Sequence, residues 1–514
     1  MNNTPFLLKI SIFVILMYSG SPAQFSPVSI QRINTDNGSN NQTGANIHYT
    51  DQGEIVITWG DKRSSHSLFS GYMRISTDNG LSFGDEILIN DIDGYIRAGG
   101  EEKIELTDNT NGDLVFAWTD MRNGNSNGDI YGRIGYADNS FSHVFRYNDD
   151  QTEFYDLLPH INRVGSSDTL MAAWLDSREC QWYCPEIRAS RSTDGGESWS
   201  ANIRADIQGE DDEPCDCCHP WIIAGSDGQI LVAFRNNLDN IRDIYVARSN
   251  ESFTEFSPPV RASFGAWEIP ACPSTGPVMI QHSSGVWVCA YTDGRNGTYR
   301  IYTSRSTDDA LTFQDELIID DNGQTQNFPD LIELNDGRIM IAYQHINDDF
   351  EEVRIMAALS EDAGYSWGEV FEISDSEISA KSNVGLAKDD IGNILAVWVD
   401  NRRDVGDIYF AVLSEATGIE NGSGIKPESF FSLSSYPNPF NATARITFSL
   451  PVPREITLKV YDLMGREVRT LVDDFRDAGI HHVSFDASDL AGGVYFYRIQ
   501  TGETEETNRL TLLK

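Results

Sequence analysis

A short Asp-x-Arg sequence motif, or phrase, recurs along the chain. Its arginines could bind an anionic ligand. Arginine forks bind carboxylates through paired hydrogen bonds, so a ring of them would suit a ligand that carries an acid group. Alternatively, each aspartate caps its own turn and each arginine pairs with a neighbouring acid. We favour this second interpretation, because a catalytic group is needed once whereas a scaffold group recurs. The pairs are Asp61/Arg63, Asp120/Arg122, Asp176/Arg178, Asp293/Arg295 and Asp400/Arg402.

Some residues stand outside this pattern and are candidates for a unique site. Arg235 and His345 replace the Asp-x-Arg phrase in two of the repeats described below. Four further side chains could stack on sugar rings or act as acids, although ordinary packing or solvated surface is their more common fate. These four are Tyr155, Trp182, Trp267 and Glu268.

Cysteines cluster in the segment EPCDCCHP, where disulfide or soft-metal chemistry could follow. We predict disulfides, because they persist in exported proteins. The alternative is a copper or zinc site that adds His219 to the cysteines of this region. Cys289 lies in an apolar strand pattern and is predicted to be a buried thiol. The disulfide candidates are Cys180 with Cys184, and Cys215, Cys217, Cys218 and Cys272 among themselves.

The elements that must position these residues are short strands arranged in a repeat. Seven segments begin with a turn residue, continue through apolar positions and have an aromatic residue at the seventh place, as in GEIVITW, GDLVFAW and GNILAVW. One strand pattern precedes each segment and further strand patterns follow it, which gives four strands, a to d, in a repeat. Seven copies of a four-stranded unit at nearly regular intervals predict a β-propeller. The segments start at residues 53, 112, 168, 228, 285, 337 and 392.

The last repeat lacks a fourth strand. The N-terminal segment 25–38 resembles the fourth strand of repeat four, at 256–266. We predict that this N-terminal strand completes the last blade, which closes the ring and removes exposed sheet edges. The predicted fold is therefore all-β, with a seven-bladed propeller followed by a small immunoglobulin-like β-sandwich. Because strands alternate in direction, the b–c and d–a loops share one face, here called the ligand face. The Asp-x-Arg phrases fall on its b–c loops.

A second recurring phrase, STDGGESW at 192–199, resembles the Asp-box, or BNR repeat, of sialidase-like propellers. The resemblance implies a structural turn between strands c and d, away from the active site. Its aspartate can accept backbone N–H groups, its glycine permits a positive φ, and its tryptophan packs between strands. The matching residues are Ser76, Asp78, Gly80 and Phe83; Ser192, Asp194, Gly196 and Trp199; Asp308 and Phe313; and Ser360, Asp362, Gly364 and Trp367.

The sialidase resemblance also implies a chemistry that this sequence does not display. That family uses three arginines on the substrate carboxylate, a tyrosine nucleophile assisted by glutamate, and an aspartate as acid and base. The Arg-Ile-Pro motif that usually carries the first arginine is absent from the sequence. The family ring has six blades, against seven repeats here. The match is confined to the architecture of residues 25–415 and to the Asp-box turns, so the catalytic residues stay unassigned.

Charge and the N-terminal segment indicate an exported protein. The chain has 78 acidic and 38 basic side chains, a net charge of −40, which argues against nucleic acid or anionic membranes as partners. Residues 1–23 read as a signal peptide, because their apolar run is shorter than the ~20 residues of a membrane span. We expect no membrane segment in the mature protein. We also expect no cofactor, and the sequence leaves copper, zinc and calcium open.

The C-terminal segment resembles the type A sorting domain of the type IX secretion system. The resemblance lies in SYPNPF, LKVYDLMGREV, GGVYFYRI and the terminal LLK. It implies a β-sandwich recognised by the type IX machinery, then release or attachment at the outer-membrane surface of a Gram-negative bacterium. The alternative is an adhesive sandwich that stays attached. The predicted division is a signal peptide (1–23), a propeller (24–414), a linker (415–433) and the sorting domain (434–514).

Two functions fit these features. We favour a secreted or surface propeller that binds a glycan or a protein ligand without catalysis. The alternative is a sialidase-like exo-glycoside hydrolase whose active site has diverged. The missing Arg-Ile-Pro motif and the scaffold character of the Asp-x-Arg phrase favour the first.

Overall fold

The computed structural model describes residues 25–415 and 433–513, apart from gaps at 37, 39, 65, 125–127, 153, 180–184, 208–212, 272, 348–351, 376, 404, 437–439, 451–453, 464, 477–478 and 502–503. The chain forms two compact units, Met1–Gly418 and Ile419–Lys514. The predicted signal peptide, most of the predicted linker, Trp182, Cys180, Cys184 and Cys272 lie outside the described residues. In the described ranges, no helix is long and apolar enough to cross a membrane.

The first unit consists of four-stranded antiparallel sheets, numbered here as blades in chain order. Blade one contains β2 (Gln42–Tyr49), β3 (Ile55–Asp61), β4 (Ser70–Ser76) and β5 (Ile87–Leu88). Blade two contains β6 (Glu105–Asp108), β7 (Leu114–Asp120), β8 (Asp129–Gly135) and β9 (Phe145–Arg146). Blade three contains β10 (Asp156–Arg163), β11 (Leu170–Asp176), β12 (Glu186–Ser192) and β13 (Ile203–Arg204).

Blade four differs because its strand a is split into two pieces that both pair with strand b. It contains β14 (Glu213–Pro214), β15 (Trp221–Ala224), β16 (Ile230–Asn237), β17 (Ile244–Arg248) and β18 (Val260–Arg261). Blade five contains β19 (Val278–Gln281), β20 (Trp287–Asp293), β21 (Arg300–Ser306) and β22 (Gln314–Ile318). Blade six contains β23 (Thr325–Glu333), β24 (Ile339–Ile346), β25 (Val353–Ser360) and β26 (Phe371–Glu372).

The seventh sheet joins the two ends of this unit. It contains β27 (Lys381–Lys388), β28 (Ile394–Asp400), β29 (Asp407–Glu415) and, at its outer edge, the N-terminal β1 (Phe25–Arg32). Strand β1 runs antiparallel to β29, with Phe25 opposite Glu415 and Arg32 opposite Tyr409. Strand a of each blade contacts strand a of the next, and β27 contacts β2, so the sheets form a closed ring. The fold is a β-propeller.

The repeated apolar segments form the second strand of each blade and carry the core. Strands β3, β7, β11, β20 and β28 are buried along their whole length, because each lies between two strands of its own blade and between two neighbouring blades. Four of them have a tryptophan at the seventh position of the repeat. Its Nε1–H donates to the aspartate two residues later, as from Trp118 to Asp120 at 3.0 Å. This hydrogen bond accounts for the Trp-x-Asp sequence that recurs at the end of these four strands.

The Asp-box turns join strands c and d on the face opposite the ligand face. The hydroxyl of Ser192 donates to Asp194 at 2.7 Å and accepts the N–H of Gly196 at 2.9 Å. Asp194 also accepts the N–H of Ser198 at 2.9 Å. The φ of Gly196 is +98°, a conformation that favours glycine. Ala310 occupies the equivalent place in blade five with a φ of +58°. These turns are structural.

The second unit has two sheets on one core. The smaller sheet contains β30 (Leu433–Tyr436), β32 (Thr443–Leu450) and β35 (Gly479–Asp486). The larger contains β31 (Phe440–Asn441), β37 (Thr504–Leu513), β36 (Gly493–Thr501), β33 (Arg454–Tyr461) and β34 (Glu467–Arg476). Buried Ile446 and Phe485 from the first sheet pack with Leu458 and Tyr497 from the second, so this unit is a β-sandwich with a core of its own.

Candidate functional site

An axial cavity of about 260 Å³ lies between the inner strands of the propeller. All seven blades contribute to its wall, because strand a is the innermost strand of each. Apolar side chains such as Ile47, Leu106 and Val278 alternate there with polar ones. A cavity with a few convergent polar groups is the usual form of a small-molecule site. The titratable residues that line it are His48, Glu101, Lys103, Glu105, His160, His219 and Asp330.

A loop that joins blade one to blade two crosses the axis on the ligand face. We call residues 98–104 the plug loop. Glu101 accepts the N–H of His219 at 2.9 Å and the N–H of Gly276, so it reaches blades four and five. Asn383 of blade seven donates to the carbonyl of Gly100. The plug loop therefore ties distant blades together and covers the cavity from the ligand face.

Burial controls the ionisation of the acids in the cavity. It raises the pKa of Glu105 to about 7, although the nearby Lys103 opposes the shift. Burial also raises the pKa values of Glu101 and Asp330. Asp330 keeps two backbone partners, the N–H groups of Leu331 at 2.8 Å and Leu386 at 2.7 Å. Near pH 7, Glu105 can therefore both hold and release a proton.

Two histidines, His160 and His219, meet edge to face in the cavity, with ring centroids 5.3 Å apart. Nδ1 of His160 accepts the N–H of Ile222 at 3.0 Å, and Nε2 of His219 donates to the carbonyl of Pro159 at 2.9 Å. Burial lowers the pKa of His219 to about 4 and that of His160 well below its usual range. Both rings are therefore neutral at pH 7. Glu105 Oε1 lies 3.9 Å from Nε2 of His219, which places an acid with a pKa near neutrality beside a neutral imidazole.

The five Asp-x-Arg pairs are not among the residues that line this cavity. In blade two, Nη2 of Arg122 donates to Asp120 and to Asp91, each at 2.7 Å, and its guanidinium stacks on Tyr131. The other four arginines make the same double contact. The pairs of acids are Asp61 and Glu86 for Arg63, Asp176 and Asp149 for Arg178, Asp293 and Glu316 for Arg295, and Asp400 and Asp375 for Arg402.

The two exceptions to this phrase differ from each other. Arg235 is buried and donates to three backbone carbonyls, those of Thr275, Arg242 and Thr292, at 2.7–2.9 Å. It links blades four and five rather than facing a ligand. His345 lies in a shallow pocket of blade six with Asp320, and its Nε2 is 3.0 Å from Nδ2 of Asn322. Burial lowers the pKa of His345.

The aromatic and acidic candidates are scattered over the ligand face. Trp267 is buried against Tyr299 and lies 5.3 Å from the guanidinium of Arg235, so it is a packing residue. Glu268 beside it is exposed. Tyr155 is half-buried directly before β10, where its carbonyl accepts the N–H of Ser177. These residues do not converge on one point with the Asp-x-Arg pairs.

The structure corrects the predicted disulfides at two positions. Cys215 and Cys218 are buried and not disulfide-bonded, and their sulfur atoms lie 3.2 Å apart in a hydrogen bond. Nη1 of Arg242 donates to Cys215 at 3.1 Å. The contact with Cys218 and the charge of Arg242 lower the pKa of Cys215, while burial raises that of Cys218. Hydrogen bonds to these neighbours hold the two thiols in place.

A soft metal at this cluster would meet an unfavourable charge. The sulfurs of Cys215, Cys217 and Cys218 lie within 4.8 Å of one another. Arg242, however, places its guanidinium against Cys215, where a copper or zinc ion would approach. His219 directs Nε2 to a backbone carbonyl. Cys289 is a separate buried thiol in β20, and burial raises its pKa to about 12.

Comparison with known protein families decides where this propeller belongs. Residues 159–441, more than half of the chain, match the BNR repeat-like domain. The chain belongs to the BNR repeat-like family. Residues 434–512 match the secretion system C-terminal sorting domain. This BNR protein is therefore exported by the type IX secretion system to the cell surface or the extracellular space. A comparison with curated protein sequences gives no match.

The BNR protein is similar to several solved structures at low sequence identity. A protein of unknown function from Dyadobacter fermentans is 14% identical, with a TM-score of 0.46, over 76% of this chain and 99% of its own. An α-L-arabinanase from Penicillium chrysogenum is 15% identical, with a TM-score of 0.43, over 76% and 96%. The intramolecular trans-sialidase from Ruminococcus gnavus is 12% identical, with a TM-score of 0.40, over 72% and 94%.

Apart from His219, sequence reasoning missed the titratable cavity residues of the BNR protein. The segment GGEEKIE at 99–105 carries Glu101, Lys103 and Glu105, and it is not repeated in the other blades. A non-repeated charged segment directly before an inner strand is the signal that could have found it. His160 and Asp330 gave no such signal, because each lies within an ordinary strand a.

Proposed function

We propose that this exported BNR propeller binds a glycan or a protein ligand on its ligand face and does not catalyse a reaction. One observation carries the proposal: each Asp-x-Arg arginine is held between the aspartate of its own motif and a second carboxylate, which for Arg122, Arg178 and Arg402 follows strand d of the preceding blade. A ligand carboxylate would have to displace one of these acids before an arginine could grip it. The ring of arginines is therefore better suited to hold the blades than to bind an acidic sugar.

An exposed aromatic pair offers a contact surface on the same face. The side chain of Tyr95 is 37% exposed, and its ring centroid lies 6.3 Å from that of His66. Tyr95 belongs to the d–a connection of blade one and His66 to the b–c loop of the same blade. Aromatic rings supply a large contact area at a small entropy cost, which suits sugar rings and protein surfaces alike. We place the contact of the ligand at this pair and the adjoining plug loop.

A glycan array with the purified secreted protein tests this proposal, and Tyr95→Ala is the variant to compare. We expect binding to selected glycans that falls at least about tenfold in Tyr95→Ala, in line with the loss of an aromatic anchor. Tyr365→Ala is the matched control, because Tyr365 is 49% exposed within an Asp-box turn on the opposite face. Equal loss in both variants would contradict the placement on the ligand face. A protein ligand would appear as an array without hits and a surface-proteome pull-down that depends on Tyr95.

The second candidate is an exo-glycoside hydrolase of sialidase type. The pKa of about 7 at Glu105, beside the neutral ring of His219, favours it because a general acid works best near the operating pH. The plug loop lies between this pair and the ligand face, so it separates Glu105 from a ligand bound on that face. This arrangement favours ligand binding without hydrolysis. We expect no hydrolysis of a fluorogenic sialoside above the buffer rate. Hydrolysis that Glu105→Gln abolishes while Tyr365→Ala retains it would establish the hydrolase instead.

We propose the processing of the chain on the same basis. Residues 1–23 would act as a signal peptide for the inner membrane, and the division into a propeller at 24–414, a linker at 415–433 and a sorting domain at 434–514 fits the two compact units. Disulfides would join Cys180 to Cys184 and Cys217 to Cys272. Ser274, two residues beyond Cys272, places its hydroxyl 3.7 Å from the sulfur of Cys217, which supports the second pairing.

A further inference from the structure

Each blade of the propeller ends in a corner on the ligand face, where strand d leaves, strand c begins and strand a of the next blade starts. At the corner between blades seven and one, Nδ2 of Asn34 donates to Asp36 and to Asp407, each at 2.8 Å. At the corner between blades two and three, Nδ2 of Asn148 donates to Asp150 and to Asp129, again at 2.8 Å. The two corners are therefore copies of one arrangement of an asparagine and two aspartates.

The corners differ in the first residue of strand a. Gln42, Lys381 and Asp156 occupy this place, since each pairs in register with the aspartate of an Asp-x-Arg phrase. Gln42 donates its amide to Asp36 at 3.3 Å. The Nζ of Lys381 lies 3.9 Å from Asp400 and brings a positive charge. An amide or a cation therefore faces the acids at two corners.

Asp156 breaks this pattern because a carboxylate has no hydrogen to donate. Carboxylate oxygens of Asp129, Asp150 and Asp156 lie within 4.8 Å of one another. Asp156 is 2% exposed, and no described residue donates a hydrogen bond to its side chain or forms an ion pair with it. Nearby Asp176 is held by Arg178. An unpartnered buried carboxylate aimed at two others requires a partner.

The charge at this corner indicates what the partner is. Arg146 lies 3.4 Å from Asp129 and 3.5 Å from Asp150, and among the described residues it is the cation that forms ion pairs with these carboxylates. Arg178 is also nearby but is already held between Asp176 and Asp149, so acids outnumber cations at this corner. The other polar contacts are neutral: Asn123 donates to Asp129 at 2.6 Å, and Thr152 donates to Asp150. All of the offered ligand atoms are oxygens, which suit hard divalent cations. Oxygens within 4.8 Å of one another span twice the 2.3–2.6 Å distance from Ca²⁺ to oxygen.

We propose that Asp129, Asp150 and Asp156 bind one Ca²⁺ ion at the corner between blades two and three, where Lys381 supplies a cation at its own corner. The ion links the start of strand c in blade two to the start of strand a in blade three. It also orders the connection that carries Tyr155. The site is independent of the ligand proposed for the exposed aromatic pair, because it involves neither the plug loop nor Tyr95.

The test uses the full secreted chain, freed of metal with a chelator and titrated with CaCl₂ by calorimetry. We expect saturation near about 1 mM, the range of extracellular calcium modules, together with a rise in melting temperature. Asp156→Gln introduces the residue found at the equivalent place in blade one. We expect this variant to bind calcium more than about tenfold more weakly than the wild type does. In the absence of calcium, its melting temperature should equal or exceed that of the metal-free wild type.

Two further variants serve as a second test of the site and as a control for the loss of one negative charge. Asp150→Asn removes a charge at a partly exposed ligand and should also weaken binding more than tenfold, which covers the case in which Asp156→Gln fails to fold. Asp85→Asn removes an exposed carboxylate elsewhere on this acidic propeller and should leave the affinity unchanged. Absence of calcium binding in the wild type would overturn the proposal and assign a shared proton to Asp156. Equal affinity in the wild type and both site variants would likewise overturn it.

Discussion

Burial of Glu105 couples its ionisation to the folding of the propeller. Burial raises its pKa to about 7, whereas the unfolded chain ionises near about 4.3. Between these values the folded protein holds a proton that the unfolded chain has lost. The contribution of Glu105 to the free energy of unfolding therefore falls as the pH rises from about 4.3 to about 7.

Glu105→Gln should remove this dependence, because an amide of similar size does not titrate. We expect the variant to match the wild type near pH 4 and to exceed its free energy of unfolding by up to about 3 kcal/mol above pH 7. Chemical denaturation of both proteins between pH 4 and pH 8 measures the difference. Burial raises the pKa of Glu102 to about 7 as well, but this acid is present in both proteins and cancels. A difference that stays constant with pH would contradict the prediction.

Three cysteines should behave as buried thiols in the native protein. Cys215, Cys218 and Cys289 are at most 1% exposed and not disulfide-bonded. We expect no alkylation of these residues by iodoacetamide in buffer, and alkylation of all three in denaturant without reductant. Peptide mass spectrometry reads out each site. A disulfide between Cys215 and Cys218 in the non-reduced protein would show that their sulfurs, 3.2 Å apart here, oxidise after export.

At the scale of elements, the strands were predictable and the plug loop was not. The seven apolar segments predicted β3, β7, β11, β16, β20, β24 and β28, because a buried second strand needs the same residue pattern in every blade. The plug loop occurs once, and its bonds to His219 and Asn383 join residues 118 and 283 positions apart. No local pattern encodes such distant contacts. The hydrogen bond between Cys215 and Cys218 was not predicted for a similar reason. Arg242, which is distant in the sequence, donates to Cys215.

Glu101→Gln should loosen the plug loop without unfolding a blade. The carboxylate accepts two backbone N–H groups, those of His219 and Gly276, whereas a glutamine side chain accepts through one oxygen and turns a donor toward the other. One N–H is then left without a partner, which costs about 1–3 kcal/mol. We expect faster hydrogen exchange at one of these two amides and a lower melting temperature.

The control for this change is Glu102→Gln in the same loop. Glu102 pairs with Arg97 at 2.6 Å and makes none of the bonds across the axis. It should leave the exchange rates of the His219 and Gly276 amides unchanged. If both variants accelerate these amides equally, the loop is held by its overall charge and not by the two bonds of Glu101.

At the scale of the whole molecule, the propeller ring closes with strands of the first unit. The outer strand of blade seven is the N-terminal β1, so no described strand of the second unit enters a propeller sheet. The second unit packs its own core around Ile446, Leu458 and Tyr497. A count of strand patterns along the sequence leads to the same closure, because the last repeat has one strand too few and the N-terminus has one too many.

Deletion of residues 427–514 should therefore leave a folded propeller that is no longer exported. We expect its melting temperature to lie within about 2 °C of that of the propeller transition in the full chain, because every strand of the propeller sheets is retained. Cell fractionation should find the shortened protein inside the outer membrane, since the sorting domain is gone. Deletion of Phe25–Arg32 is the matched control, and it should lower the melting temperature strongly by opening blade seven. A shortened chain that fails to fold, or that still reaches the medium, would show that the sorting domain is part of the propeller or that export follows another route.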